Sequence, residues 1–222
     1  MTALYTAEEL LLLASAFNCQ MLFGLPDRQL LVMRHPQGFE EAKQSLIDKK
    51  IMTVDGNLTT DGGMVIQLLE QYAISNRYIR LDNLMTGFGT NDHLITIKWR
   101  EDGKFQLYVH QDIAFLKRIM EGYPLFNREP LSEDTTYLKK IIRQNEVEEY
   151  FEQEKPTVQL ECFKIDYEKK TTSIEQWIFF ENNGKLQGID VNQETAYQLS
   201  QYFLVKKIYD FYRFPYKEAD LR

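Results

Sequence analysis

Residues 94–110 read LITIKWREDGKFQLYVH, and residues 173–191 read SIEQWIFFENNGKLQGIDV. In each stretch an alternating run is broken by a turn, Glu101-Asp102-Gly103-Lys104 or Asn182-Asn183-Gly184-Lys185, after which a second run follows. Alternation at period two sets one face of a strand toward a core and the other toward water, and a short glycine-containing turn between two such runs makes a hairpin. Ile95, Ile97 and Trp99 share a face opposite Leu94, Thr96 and Lys98, and Phe105, Leu107 and Val109 alternate with Gln106, Tyr108 and His110. The second stretch repeats the logic, with Ile174, Gln176, Ile178 and Phe180 against Trp177 and Phe179.

Each hairpin belongs to a larger pattern of three strands and an amphipathic helix. The first copy predicts strands at Tyr78–Met85, Leu94–Trp99 and Phe105–His110 and a helix at Ile113–Gly122. The second predicts Val158–Tyr167, Ser173–Asn182 and Leu186–Val191, then a helix from Gln193 onward. The expected fold class is α+β, with two βββα units in a pseudo-twofold arrangement forming an antiparallel sheet flanked by helices. The 222 residues are read as a single domain. Its subregions are a helical, winged-helix-like 1–76, a first βββα at 77–125, a long connecting helix at 126–156 and a second βββα with an extended C-terminal helix at 157–222.

Ahead of the first unit, Thr6-Ala7-Glu8-Glu9 has the form of a capping box before the apolar run Leu10–Phe17. Gly38 to Lys50 predicts a second helix. A turn at Asp55-Gly56 and a cap at Thr59 or Thr60 introduce a third that runs through Tyr72. This helix, hairpin, helix order suggests a DNA-binding element, but a recognition helix needs cationic and amide side chains at its exposed first turn. Met64-Val65-Ile66-Gln67-Leu68-Leu69-Glu70 is mostly apolar with an acid and reads as a packing helix. Ser132, followed by Glu133 and Asp134, caps a charged helical stretch to Glu154 that Pro156 ends.

The formal net charge is −7, from 33 acidic and 26 basic residues, which argues against nonspecific binding to nucleic acid or anionic membrane. The first residues carry no positive segment, and Leu10–Leu13 is too short to span a bilayer. The expectation is therefore a cytoplasmic protein without membrane insertion. Cys19 and Cys162, far apart, read as reduced thiols.

Catalytic chemistry is not expected. His35, His93 and His110 are the only histidines, and none stands at metal-ligand spacing with another ligand type. Gly87-Phe88-Gly89-Thr90 precedes a strand rather than opening a helix, so no aligned N–H groups would face a phosphate. Neither metal nor cofactor is called for, and the chain reads as a binding protein. Met85, Phe88 and Asn91, on a polar, glycine-bounded tip, form one candidate partner-binding surface. Tyr202, Tyr209, Phe211 and Tyr212, in the aromatic C-terminal helix, form the other.

The opening Leu4-Tyr5-Thr6-Ala7-Glu8-Glu9 with its leucine run, Ala42–Ile51 with Gly56-Asn57-Leu58-Thr59, the helix into Tyr72, and the strands with Arg80 and Gln106–His110 resemble the EspG family. Its members are cytosolic chaperones of type VII (ESX) secretion with a pseudo-twofold α+β fold. The resemblance implies a chaperone that binds a helical secretion substrate and keeps it soluble and export-competent, touching it with the hairpin loops and the C-terminal helical region. The Lys-, Tyr- and Phe-rich, Ala-poor composition fits a Gram-positive, Firmicutes-type setting with a WXG-like protein or the N-terminal region of an LXG-type toxin as client. An immunity protein that neutralises a partner toxin is the alternative, since the acidic balance suits a basic nuclease. Homodimerisation through an open sheet edge stays open.

Overall fold

Thr6 and Glu9 start the first helix by satisfying each other's backbone: the Glu9 N–H donates to Thr6 Oγ1 (3.2 Å) and the Thr6 N–H to Glu9 Oε2 (2.7 Å). The computed structural model describes residues 3–90, 93–128, 138–142 and 156–214. The protein is α+β and divides into two compact units, Met1–Tyr78 with Asn83–His110, and Ile79–Asp82 with Gln111–Arg222.

In the first unit, α1 (Ala7–Ala14) buries Leu10, Leu11, Leu13 and Ala14. Glu9 is fully buried, and Lys49 Nζ supplies the counter-charge at 2.5 Å while also donating to the Leu4 carbonyl at 2.7 Å. Next come α2 (Arg28–Arg34), α3 (Gly38–Asp48) and α4 (Thr60–Ala73). The expected turn before α4 is present: Met52 and Leu58 bridge across it, and Thr59 Oγ1 caps α4 by accepting the Gly62 N–H (3.1 Å). Val65, Leu69 and Tyr72 form the buried side of α4, as expected of a packing helix. The Tyr72 hydroxyl donates to the Phe23 carbonyl (2.9 Å).

The strands of this unit are β1 (Leu4–Tyr5), β3 (Leu84–Phe88), β4 (His93–Trp99) and β5 (Phe105–Gln111), in the order β1-β5-β4-β3. β2 (Arg77–Leu81) begins in the first unit and ends in the second. Tyr78–Met85, expected as one strand, is therefore two. Asp82 takes a left-handed φ of 49° and turns the chain between β2 and β3. The hairpin read from residues 94–110 is present, its turn closed by the Arg100 N–H donating to the Lys104 carbonyl (2.9 Å).

The second unit contains α5 (Asp112–Gly122), β6 (Lys139–Ile141), β7 (Val158–Asp166), β8 (Thr171–Asn182), β9 (Lys185–Asp190), β10 (Thr195–Leu199) and α6 (Gln201–Tyr212). Its antiparallel strands run β7-β8-β9-β10-β6, with the end of β2 beside β7. The Asn183-Gly184 turn has positive φ at both residues (52° and 73°), the requirement of a type I′ two-residue hairpin loop.

Two expectations are corrected here. The helix expected from Gln193 starts only after Ser200, whose Oγ accepts the Phe203 N–H (3.2 Å). The residues before it form β10, where Tyr197 and Leu199 point into the core at a strand's spacing. Each predicted βββα run thus has four strands before its helix. The connecting helix expected at 126–156 is interrupted as well: Lys139–Ile141 is a strand paired with Tyr197–Leu199. The remainder of the Ser132–Glu154 expectation lies largely outside the described residues.

Trp177 and Phe179 stack (5.6 Å between centroids) under Phe203 of α6. Lys207 Nζ lies 5.2 Å from the Trp177 ring and pairs with Glu175, which also accepts the indole N–H at 3.1 Å. Burial alone would raise the Glu175 carboxyl, but the Lys207 hydrogen bond and charge, joined by the Trp177 N–H, outweigh it and hold the group below the usual range.

Candidate partner-binding surface

Pro26 and Asp27 stop one segment and start the next. Asp27 Oδ1 accepts the Gln29 N–H (2.7 Å), which caps α2. This short helix buries Leu31 alone, although its sequence is Arg28-Gln29-Leu30-Leu31-Val32-Met33-Arg34. Leu30 and Val32 are exposed, and Met33 is 79% exposed. Met21, just before it, is 68% exposed beside the fully buried Leu22. Single exposed apolar residues are ordinary, but four within thirteen positions, two of them methionines, are what a partner-binding surface offers.

The residues singled out from the sequence fall in different settings. Met85 lies within β3 and is buried against Gly24, where an added Cβ would stand 1.6 Å from the Met85 sulfur. It is not at a tip. Phe88 ends β3 half-buried, its N–H donating to Ser75 Oγ (3.0 Å) and its ring 6.0 Å from the Arg77 guanidinium. Asn91 lies outside the described residues. Tyr202, Tyr209, Phe211 and Tyr212 share α6. Tyr202 is exposed and Tyr209 half-buried, while Phe211 and Tyr212 are core, Tyr212 meeting Phe115 edge-on (5.2 Å). Of the six that are described, Tyr202 is the most exposed, at 50%.

α2 was not anticipated, because a seven-residue helix gives too few turns for a periodicity to stand out. The available signal was Pro26-Asp27 followed by an apolar run with no acidic side chain to solvate it.

His35 meets Glu41 at 3.2 Å on the surface, and His110 is buried beside Tyr108. Among the described residues no group of three or more His, Cys, Asp or Glu side chains could hold a metal ion. Neither Cys19 nor Cys162 is in a disulfide, and Cys162 is buried. Gly87 sits in β3, where an added Cβ would come within 3.0 Å of the Tyr72 ring. Its role there is close packing.

The sequence model of the family described as "Domain of unknown function (DUF5081)" matches residues 1–220. The chain belongs to the DUF5081 family. This DUF5081 protein is also similar to the type VII secretion system protein EsaE of Staphylococcus aureus, in strains USA300 and NCTC 8325 / PS 47. Identity is 30% over 103 residues, which is 45% of this chain and 45% of each relative. The match therefore spans less than half the length of those curated relatives. Among the described residues no helix is long and apolar enough to cross a membrane.

Proposed function

We propose that this DUF5081 protein is a cytoplasmic, non-enzymatic chaperone or adaptor of type VII secretion. It binds a helical secretion substrate and keeps it soluble and export-competent, the work that the EspG resemblance implies. The observation that carries this reading is the 30% identity to the type VII secretion protein EsaE. The apolar face of α2 supports it, since helix-in-groove and helix-on-helix recognition need an exposed apolar stripe of this kind. Tyr202, exposed on α6 of the second unit, is a separate candidate position.

The test is affinity capture from the native cytosol with wild type, Met33→Asp and Tyr202→Asp. Both positions are exposed, so the variants should fold. The expected result is recovery of a secreted helical protein, or of the helical N-terminal region of a toxin, by wild type and a loss of at least tenfold with Met33→Asp. Recovery of a toxin's catalytic domain in its place would overturn the chaperone reading in favour of an immunity protein.

A further inference from the structure

Between Glu9 and Glu40 the sequence has one acidic residue, Asp27, and its carboxylate is engaged as the cap of α2. The same stretch holds Arg28 and Arg34, in a chain whose formal net charge is −7. Within this stretch the basic side chains outnumber the acidic one, and Glu41 of α3, the acid that approaches its end, is paired with His35 at 3.2 Å. Among the described residues neither arginine has an ion-pair partner. Arg28 lies 4.4 Å over the Phe39 ring, and Arg34 is exposed.

At about 100° per residue, Gln29 and Met33 occupy the middle of the face opposite Leu31. Leu30 and Val32 form its shoulders, and Arg34 and Arg28 stand one on each border. We infer that this cation-bordered apolar face of α2 receives an amphipathic helix whose apolar stripe is flanked by Asp or Glu side chains. The inference rests on the chaperone reading and names the side of the client that is recognised.

The geometry favours a helix as occupant. Leu30 and Met33, three apart, make a ridge that fits the groove between turns of a second helix. A strand partner would need unpaired backbone groups, and the interior of a helix has none. Flexible methionines adapt to irregular apolar ridges. Guanidinium groups bind carboxylates through paired donors. The overall charge does not oppose this, because charges more than about 8 Å away are largely screened at physiological salt.

Two synthetic helical peptides with the same leucine stripe, one flanked by Glu and one by Lys, provide the probes. Their affinities for the full chain are read by fluorescence anisotropy at physiological salt. The Glu peptide should bind at least tenfold more tightly, Met33→Asp should remove that binding, and Arg34→Glu should narrow or reverse the preference. Equal affinities, or undiminished binding of the Glu peptide to folded Met33→Asp, would overturn the inference. Capture of a secreted client equally by wild type and Met33→Asp would leave the chaperone reading standing and sink the α2 assignment. A Glu-peptide preference lost in Met33→Asp, with no secreted client captured, would do the reverse.

Discussion

Asp82 shows how one residue can serve a turn at a cost in charge. Its left-handed backbone turns β2 into β3, and Oδ1 accepts the Gln159 N–H at 2.7 Å. Burial raises its carboxyl above the ordinary value of 3.8, only partly opposed by that hydrogen bond and by Arg80. The sign follows from proton uptake. A carboxyl with a raised folded pKa binds a proton more readily in the folded chain, so the charged form costs stability at neutral pH and the cost fades as pH falls through the folded pKa. Asparagine keeps the acceptor, tolerates positive φ and carries no charge. Asp82→Asn should therefore stabilise the protein at pH 7, with the advantage shrinking toward pH 4. Urea melts across that range would show it, and a constant or growing difference toward low pH would contradict the assignment.

Adjacent glycines at the start of α4 separate packing from helix propensity. A Cβ on Gly62 would lie 2.2 Å from the Ile51 carbonyl oxygen, a backbone atom, whereas one on Gly63 meets nothing within 4 Å. Gly62→Ala should cost about 2 kcal/mol or more through forced displacement of the turn. Gly63→Ala should gain about 0.5–1 kcal/mol by restricting the unfolded chain and favouring helix. Thermal melts of the two variants should move in opposite directions, and a shared direction would show that the α4 entry is placed differently. The elements most legible in the sequence were those whose signals are local. The Thr6–Glu9 box, the Thr59 cap and the Asn183-Gly184 turn depend on few neighbours. β10 was misread because Thr195–Leu199 is only five residues long and directly precedes a helix, too short for the strand spacing of Tyr197 and Leu199 to stand out; only pairing to β9 and β6 decides for strand. β6 was hidden for the same reason, since Lys139–Ile141 is held as a strand by its partner Tyr197–Leu199 and not by its own composition. The site was less legible than the fold. Met85, Phe211 and Tyr212 look like anchors in a list of large apolar residues, but burial is settled by long-range packing.

At the scale of the whole chain, binding and stability are linked. The exposed apolar side chains of α2 add nothing to the core while the protein is alone, so a partner that covers them stabilises the folded state by mass action. For a ligand that binds only the folded chain, the gain is about 2.7 kcal/mol at a free concentration of one hundred times Kd. If the chain is a chaperone for a helical secretion substrate, the purified helical region of that substrate should raise Tm in a concentration-dependent way, by several degrees at that excess. Met33→Asp should melt like wild type alone yet show little of the rise, because Met33 is exposed and its loss weakens the complex without opening the core. An immunity protein would show the opposite preference, with Tm raised by the toxic domain and unmoved by the helical region. The two functions differ in which half of a client stabilises the fold, so a pair of melting curves distinguishes them. A rise with the helical region that Met33→Asp leaves intact would keep the chaperone function and move its surface away from α2, with exposed Tyr202 on α6 the next position to substitute.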